Sequence, residues 1–424
     1  MNISSLIVRI CEYGRIAIHA NRFQVLVAGV LALVRSRSLS LTAMGRAMLG
    51  ARLLKHAIKR SDRLLGNRHL HRERRVLFRG LAAKLLKGNR HPVIVLDWTQ
   101  IGEEFAGLVA ALPFGGRTQP IYEETHPLKH LGKPKLEARF LDRLAAILPP
   151  GCTPILVADA GFRGPFCQAV LAHGWDFVVR IRGRCKVQLR TEATGGDFRR
   201  FYEQATTRPK LLGGGEFAPK GARTEARFVL FKKKRPGNQT QPRKTTRPTR
   251  TRPGKKARPA SRRARKPPRC NRLRSGSQLK AKRGAVEPWF LATSLPHASA
   301  AAICALYATR MQIEETFRDT KNPRFGWSLQ HARYRSTQRI DTLFLLIALA
   351  MLVVLLLGSA AEAANRHLAY QGNTIKTRRV LSWFVLGNCI LQRQDLDWLQ
   401  PAALTAALER CRAFQEQLVA SFIS

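Results

Sequence analysis

The sequence predicts an α/β fold, a core of short buried strands with helical regions before and after it. Three observations carry that reading. Two short runs rich in β-branched residues, His91–Trp98 and Pro154–Asp159, stay apolar until each reaches an aspartate, the pattern of buried strands. Tyr307 to Lys321 spaces its charged residues as a helix does. Residues 1–85 and 346–424 carry their apolar positions at helical rather than alternating spacing.

In residues 1–85, Phe23 to Val34 follows Arg9, Arg15 and Arg22 and imitates a secretory leader. No small-x-small cleavage site follows it, and basic residues come at once. Ser38 to Ala47 supplies a cap and apolar spacing, and Ala51 to Arg63 sets basic positions between leucines, so both predict helices. Residues 86–345 hold the predicted core. Its first strand is bounded by Pro92 and ends in Asp97; the second ends in Asp159, with Gly161 and Gly164 marking the turn that follows. Phe177–Arg182, Ala226–Phe231 and Trp289–Thr293 read as further strands.

The interval from Asp159 to Glu314 exceeds what a compact core needs between a last strand and its acidic helix, so residues 185–287 are expected to be a β-rich insertion. Inside it, residues 232–283 repeat Lys and Arg with Pro, Thr, Gly and Ser, and no acid occurs from Ala226 to Val286. Such a segment cannot offset its ordering entropy by apolar burial and is expected to be a disordered basic loop. Thr342 to Ala361 carries no charge and is long enough to span a bilayer. It follows soon after the charged helix, which must stay beside the strands in water, so a buried helix against the sheet is expected instead. Thr374–Leu391 and Pro401–Phe422 predict amphipathic helices for core packing and subunit contact.

On a continuous helix each residue turns about 100°, which gathers Tyr307, Arg310, Glu314, Arg318 and Lys321 into a stripe roughly 80° wide. One carboxylate then sits among cations and a phenol, the set needed to bind a metal and the phosphate it acts on. Glu315 competes as the acid but points away from that stripe. Taken alone, Asp97 and Asp159 read as helix-cap or turn residues. With Glu314 they follow the order strand, strand, helix in which an RNase H-like domain presents its acids. Three converging carboxylates need cations, and hard oxygen ligands select Mg²⁺ or Mn²⁺ over zinc. Two ions about 3.5 to 4 Å apart would serve an in-line displacement at phosphorus, with Asp97 expected to bridge them and Asp159 and Glu314 completing one shell each.

The spacing of Tyr307, Arg310, Glu314 and Lys321, with Asp97-Trp98, Ala158-Asp159 and the segment from Asp62 to His71, resembles the bacterial DDE transposases of the family named after insertion sequence four. The resemblance covers nearly the whole chain outside the basic loop, which is longer and more basic here. It implies a retroviral-integrase-like core with an inserted β-rich subdomain and a helical N-terminal domain that reads terminal inverted repeats. It implies cut-and-paste transposition through hairpin ends by a homodimer on paired ends of double-stranded DNA, in the bacterial cytoplasm at the nucleoid. Tyr307, Arg310 and Lys321 would clamp phosphate, Arg318 would add a cation, and Trp289, four residues before Thr293, would wedge into the DNA end. As a strand tryptophan, Trp289 also reads as a core aromatic.

Bulk properties agree with a polyanionic partner. The 424 residues carry a formal net charge of +47, which favours nucleic acid first and an anionic membrane second. Charge alone binds without sequence preference. The eight cysteines are scattered with no Cys-x-x-Cys pair, against a zinc finger or a disulfide framework. His69 and His71 stand too close to share a helical face, so contact with DNA is their expected use. A structure-specific nuclease without strand transfer and a non-enzymatic DNA-binding protein are the competing functions.

Overall fold

The computed structural model of the chain describes residues 4–5, 7–8, 18–48, 50, 53–218, 222–233, 287–332, 334–372 and 374–423. Four helices lie between Ala20 and Leu85: α1 (Ala20–Ser36), α2 (Leu41–Ala47), α3 (Leu54–Leu65) and α4 (Arg68–Leu85). Side chains start three of them, the first through His19 Nδ1, which accepts from the Asn21 amide at 3.2 Å. Ser40 Oγ accepts from the Ala43 amide at 3.2 Å and Asn67 Oδ1 from the Leu70 amide at 3.0 Å, satisfying otherwise orphaned donors. The apolar run that imitates a leader is most of α1, and Leu26, Val30 and Leu33 on it are fully buried.

The strands β1 (Val93–Ile101), β2 (Phe105–Phe114) and β3 (Arg117–Pro127) form an antiparallel meander. After α5 (Pro134–Ala145), β4 (Ile155–Ala158) pairs parallel to β1; after α6 (Gly164–Ala172), β5 (Asp176–Arg180) pairs parallel to β4. The chain continues through β6 (Lys186–Leu189), β7 (Gly196–Asp197), β8 (Lys210–Ala218), β9 (Thr224–Phe231) and β10 (Trp289–Thr293). The order is β3-β2-β1-β4-β5-β10-β9-β8-β6-β7 in one ten-stranded sheet. Strands from the interval expected as an insertion therefore continue the core sheet, through antiparallel pairing of β10 with β5. The basic loop expected at 232–283 lies, apart from Lys232 and Lys233, outside the described residues.

Side-chain alternation gives the sheet two apolar faces. Ile94, Leu96, Leu108, Leu156, Phe177 and Phe290 share one cluster with the helices of the N-terminal region. Val93, Val95, Val109, Ile155, Val157 and Leu291 share the other with α7 (Ala300–Ala308) and α8 (Met311–Lys321). The first face also packs with α9 (Thr337–Ala363), in which every residue from Ile340 to Ala361 is buried. Among the described residues α9 is the one unbroken helix long and apolar enough to cross a membrane, and its apolar stretch is entirely covered by the rest of the chain.

Backbone crowding explains one tight crossing. A Cβ on Gly358 of α9 would lie 2.2 Å from the Trp383 carbonyl oxygen, and one on Gly387 of α10 (Trp383–Arg393) 2.1 Å from that of Val354. Only glycine permits this approach. The helix expected from Thr374 starts at Trp383, where Ser382 Oγ accepts from the Val385 amide at 3.2 Å. Upstream, Ile375 and Val380 are exposed and have no apolar surface to hold a helix face. On α11 (Pro401–Ile423), Gln415 accepts from the Val93 amide at 3.1 Å and donates to the Pro113 carbonyl at 2.8 Å, joining β1 to β2.

Candidate active site

Sheet register brings the two aspartates together. Pairing of β1 with β4 ends at Leu96 opposite Ala158, so Asp97 and Asp159 take the next positions on neighbouring parallel strands. Both continue the alternation of Val93, Val95, Ile155 and Val157 toward the face that α7 and α8 cover. Asp97 does not end its strand, as expected from sequence, but stands at its middle. Pairing with β2 carries β1 on to Ile101, a partner the apolar run could not disclose. Asp159 Oδ1 accepts from the Gly161 amide at 2.7 Å, which holds the carboxylate in a tight turn. Gly164, expected in that turn, instead begins α6.

The segment from Tyr307 to Lys321 is two helices rather than one. Thr309 and Arg310 keep right-handed dihedrals, but their amides bond three residues back, to Leu306 and Tyr307, at 3.0 and 3.1 Å. The Thr309 hydroxyl also donates to the Leu306 carbonyl at 2.6 Å, competing with the α-helical pattern. Across this tight turn Tyr307 still meets Arg310 through a side-chain hydrogen bond. The opposite side of α8 is tied to the β2–β3 turn: Gln312 Oε1 accepts from the Phe114 and Gly116 amides at 3.0 and 3.2 Å, and Thr316 Oγ1 from the Thr118 amide at 2.8 Å. Those bonds set the rotation of α8 and aim Arg310 and Glu314 at β1.

Arg310 links the acids. Its guanidinium donates to Asp97 Oδ2 at 3.2 Å and forms a very short ion pair with Glu314. Exposure rises outward, from 12% for Arg310 and 15% for Asp97 to 38% for Glu314. Burial, then the Asp159 charge, pushes the Asp97 carboxyl up to about 7, against the opposing pull of Arg310. Lys321 is nearby, its ammonium lowered in pKa by burial while Asp97 acts to raise it.

The remaining sequence-predicted residues divide. Tyr307 is buried and meets the Trp289 ring edge-on at 4.8 Å between centroids. Trp289 is itself buried, with Phe231 at 5.5 Å and the Lys233 ammonium 4.4 Å from its ring centre, a packed aromatic next to the charged cluster. Arg318 lines the cleft with Asp97, Glu314 and Lys321, but is 65% exposed and pairs with Glu315 at 2.7 Å. Its i,i+3 partner occupies the guanidinium. Glu315 turns toward Arg318 and Arg117, away from Asp97.

Two clefts meet these residues. One, about 550 Å³, is lined by Asp97, Glu314, Phe317, Arg318, Lys321 and Gln330; the other, about 820 Å³, by Asp159, Arg163, Arg180, Arg182, Arg184 and Glu287. Since Asp97 and Asp159 hold adjacent register positions, the clefts adjoin at the acid pair. Sequence reading missed the arginines of the second cleft, although Arg180, Arg182 and Arg184 alternate visibly. It also missed Glu137, a buried carboxylate that accepts from Trp98 Nε1 at 3.1 Å and has Arg163 and Asp159 as charged neighbours.

Among the described residues no three His, Cys, Asp or Glu side chains group tightly enough to enclose an ion. Here Arg310 bonds to both Asp97 and Glu314, satisfying part of their charge. The donor set is nonetheless all hard carboxylate oxygen, and Asp97 is an acid raised by burial and by a second acid, so added positive charge favours its ionised form. The acids fit a divalent ion by donor chemistry, with Arg310 displaced from part of its contact.

Comparison with known families matches residues 89–353 to the Transposase DDE domain, and no curated protein matches the chain. The matched span runs from just before β1 into α9 and contains Asp97, Asp159 and Glu314. Proteins of this family are metal-dependent enzymes that act on DNA, and their domain has an RNase H-like fold, in accord with the mixed α/β sheet. The chain belongs to the Transposase DDE domain family and is a DDE transposase.

Proposed function

We propose that this transposase works by cut-and-paste, with Asp97, Asp159 and Glu314 as its catalytic acids. The observation that carries the reading is the adjacent register of Asp97 and Asp159 on the face that α8 covers, with Glu314 joined to Asp97 through Arg310. The three carboxylates would hold two Mg²⁺ or Mn²⁺ ions, which when bound neutralise phosphate charge and acidify the attacking hydroxyl. Arg310 and Lys321 then face the phosphate, and Arg310 must exchange carboxylate contacts for phosphate ones. Tyr307 supports Trp289 edge-on, which suits Trp289 to stabilise a distorted DNA end beside the cluster. Arg318 lines the cleft of Asp97 and adds long-range positive charge.

In this reading water attacks the phosphodiester at the element's end and breaks its bond to the 3′ oxygen. The freed 3′-hydroxyl attacks the opposite strand to leave a hairpin, which a second water opens before the 3′-hydroxyl attacks target DNA. The helical region 1–85 would read the terminal inverted repeats, and two protomers on paired double-stranded ends would act together in the cytoplasm, at the nucleoid. The chain would then fall in the group named after insertion sequence four; its wording around Glu314 is especially close to the transposase of transposon ten's insertion sequence. Incubation with Mg²⁺ and labelled DNA bearing the element's ends tests the reading. It predicts a hairpin-terminated excision product; nicked product that never joins or folds back would leave a nuclease instead.

A further inference from the structure

We propose that the arginine-lined cleft beside Asp159 binds an unpaired strand of the DNA, with phosphates on Arg163, Arg182 and Arg184. This rests on the transposase reading and extends it to the form of the substrate. At about 820 Å³ the cleft is the size of a pocket that encloses one compact ligand, too narrow for a duplex and sufficient for an unpaired nucleotide and its flanking phosphates. The turn after β4 forms one wall and the turn after β5 the other, and Phe162 and Phe217 line it between them. Phe162 and Phe217 are each only 3% exposed and packed in the core, so they floor the cleft, and an unpaired strand would be held there through its backbone charge on the arginines.

The charges in the cleft are unevenly satisfied. Glu287 engages Arg182 at 2.5 Å and Arg180 at 3.3 Å, and Arg180 also donates to the Pro288 carbonyl at 3.2 Å. The Arg180 Nε is buried without a partner. Arg163 and Arg184 are exposed and, among the described residues, make no ion pair or side-chain hydrogen bond. A solvated protein surface normally mixes both signs of charge, whereas the four arginines lining this cleft share it with two carboxylates, one of them the proposed catalytic Asp159, and the buried Glu137 near Arg163 is a third acid. The Lys321 cleft lies beyond the Asp97–Asp159 pair. A strand crossing the acids is thereby held on both sides, and strand separation at the element's end becomes part of substrate recognition.

Equilibrium binding of the full chain in EDTA tests this without requiring cleavage, using a labelled single strand and the duplex of the same sequence as probes. Arg182→Gln with Arg184→Gln should weaken single-strand binding about tenfold and reduce the slope of log affinity against log salt by about 1.4, near 0.7 per lost phosphate contact. Duplex binding should stay within about twofold. Arg184→Gln alone disturbs no side-chain partner and should give a smaller loss of the same kind, while Arg182→Lys with Arg184→Lys should retain most of the affinity. Equal losses for both probes, or no loss for either, would overturn the proposal. Failure of the transposase reading would show separately, as binding that follows this pattern with no metal-dependent cleavage.

Discussion

Two arginines in this protein each gather acidic elements, and only one of them lies where a substrate can reach. Arg74 of α4 donates to the Glu123 carbonyl at 2.7 Å and pairs with Asp341 of α9 at 3.0 Å, while the Thr125 amide donates to Asp341 at 2.8 Å. Arg74 and Asp341 are each 8% exposed. Burial holds Glu123 well above the usual carboxylate range and pushes Asp341 up to about 6. Arg310 has similar partners, but its acids Asp97 and Glu314 line an open cleft. The sealed cluster joins α4, β3 and α9; the open one leaves charge that added groups can satisfy. Residue type is shared, and access separates a structural ion pair from a site.

The sharpest way to separate the clusters is to neutralise one acid in the open one. Asp97→Asn should lower metal-dependent strand cleavage about a thousandfold or more, the scale of losing a preorganised electrostatic group, with Tm unchanged or raised because a buried repulsion with Asp159 is relieved. A large fall in Tm would make Asp97 structural. In the sealed cluster, Arg74→Met should cost about 3–5 kcal/mol in urea unfolding, because Asp341 is left buried and unpaired. A cost under about 1 kcal/mol would place that pair in water.

Acidity offers a third contrast. Asp341 is raised in the folded chain, so its contribution to stability is present below its unfolded value near 3.8 and is lost as pH rises through about 6. The difference in unfolding free energy between wild type and Asp341→Asn should change by about 1–3 kcal/mol across that window and be flat above it. Gly387→Ala should cost about 1–3 kcal/mol through overpacking against α9, with cleavage per folded molecule unaffected. Arg318→Ala should shift stability by no more than about 0.5 kcal/mol, since its partner is an exposed neighbour. A larger shift would mean that the Glu315 pair is shielded from solvent.

The placement of Asp97 and Asp159 at neighbouring strands and of Glu314 on a helix was legible because each marks an element with its own periodicity, as was the burial of α9, whose apolar run has no charged interruption. Other features depended on partners distant in sequence. Asp97 looked terminal because the apolar run ends there, whereas pairing with β2 carries β1 onward. The two-helix form of Tyr307–Lys321 lies in a backbone turn at Thr309 and Arg310, accompanied by the Thr309 hydroxyl bond, which helical spacing does not reveal. The continuity of β10 with β5 joins residues more than a hundred positions apart, and the Arg182 cleft is closed by Glu287 across the same interval.

Single-turnover cleavage of labelled end DNA with Mg²⁺, by Asp97→Asn, Asp159→Asn, Glu314→Gln and the triple variant, tests most directly whether these acids act as one unit. The prediction is that each single variant is nearly as inactive as the triple, as for groups that work together, while all four remain folded. A single variant that cleaves at close to the wild-type rate would contradict it.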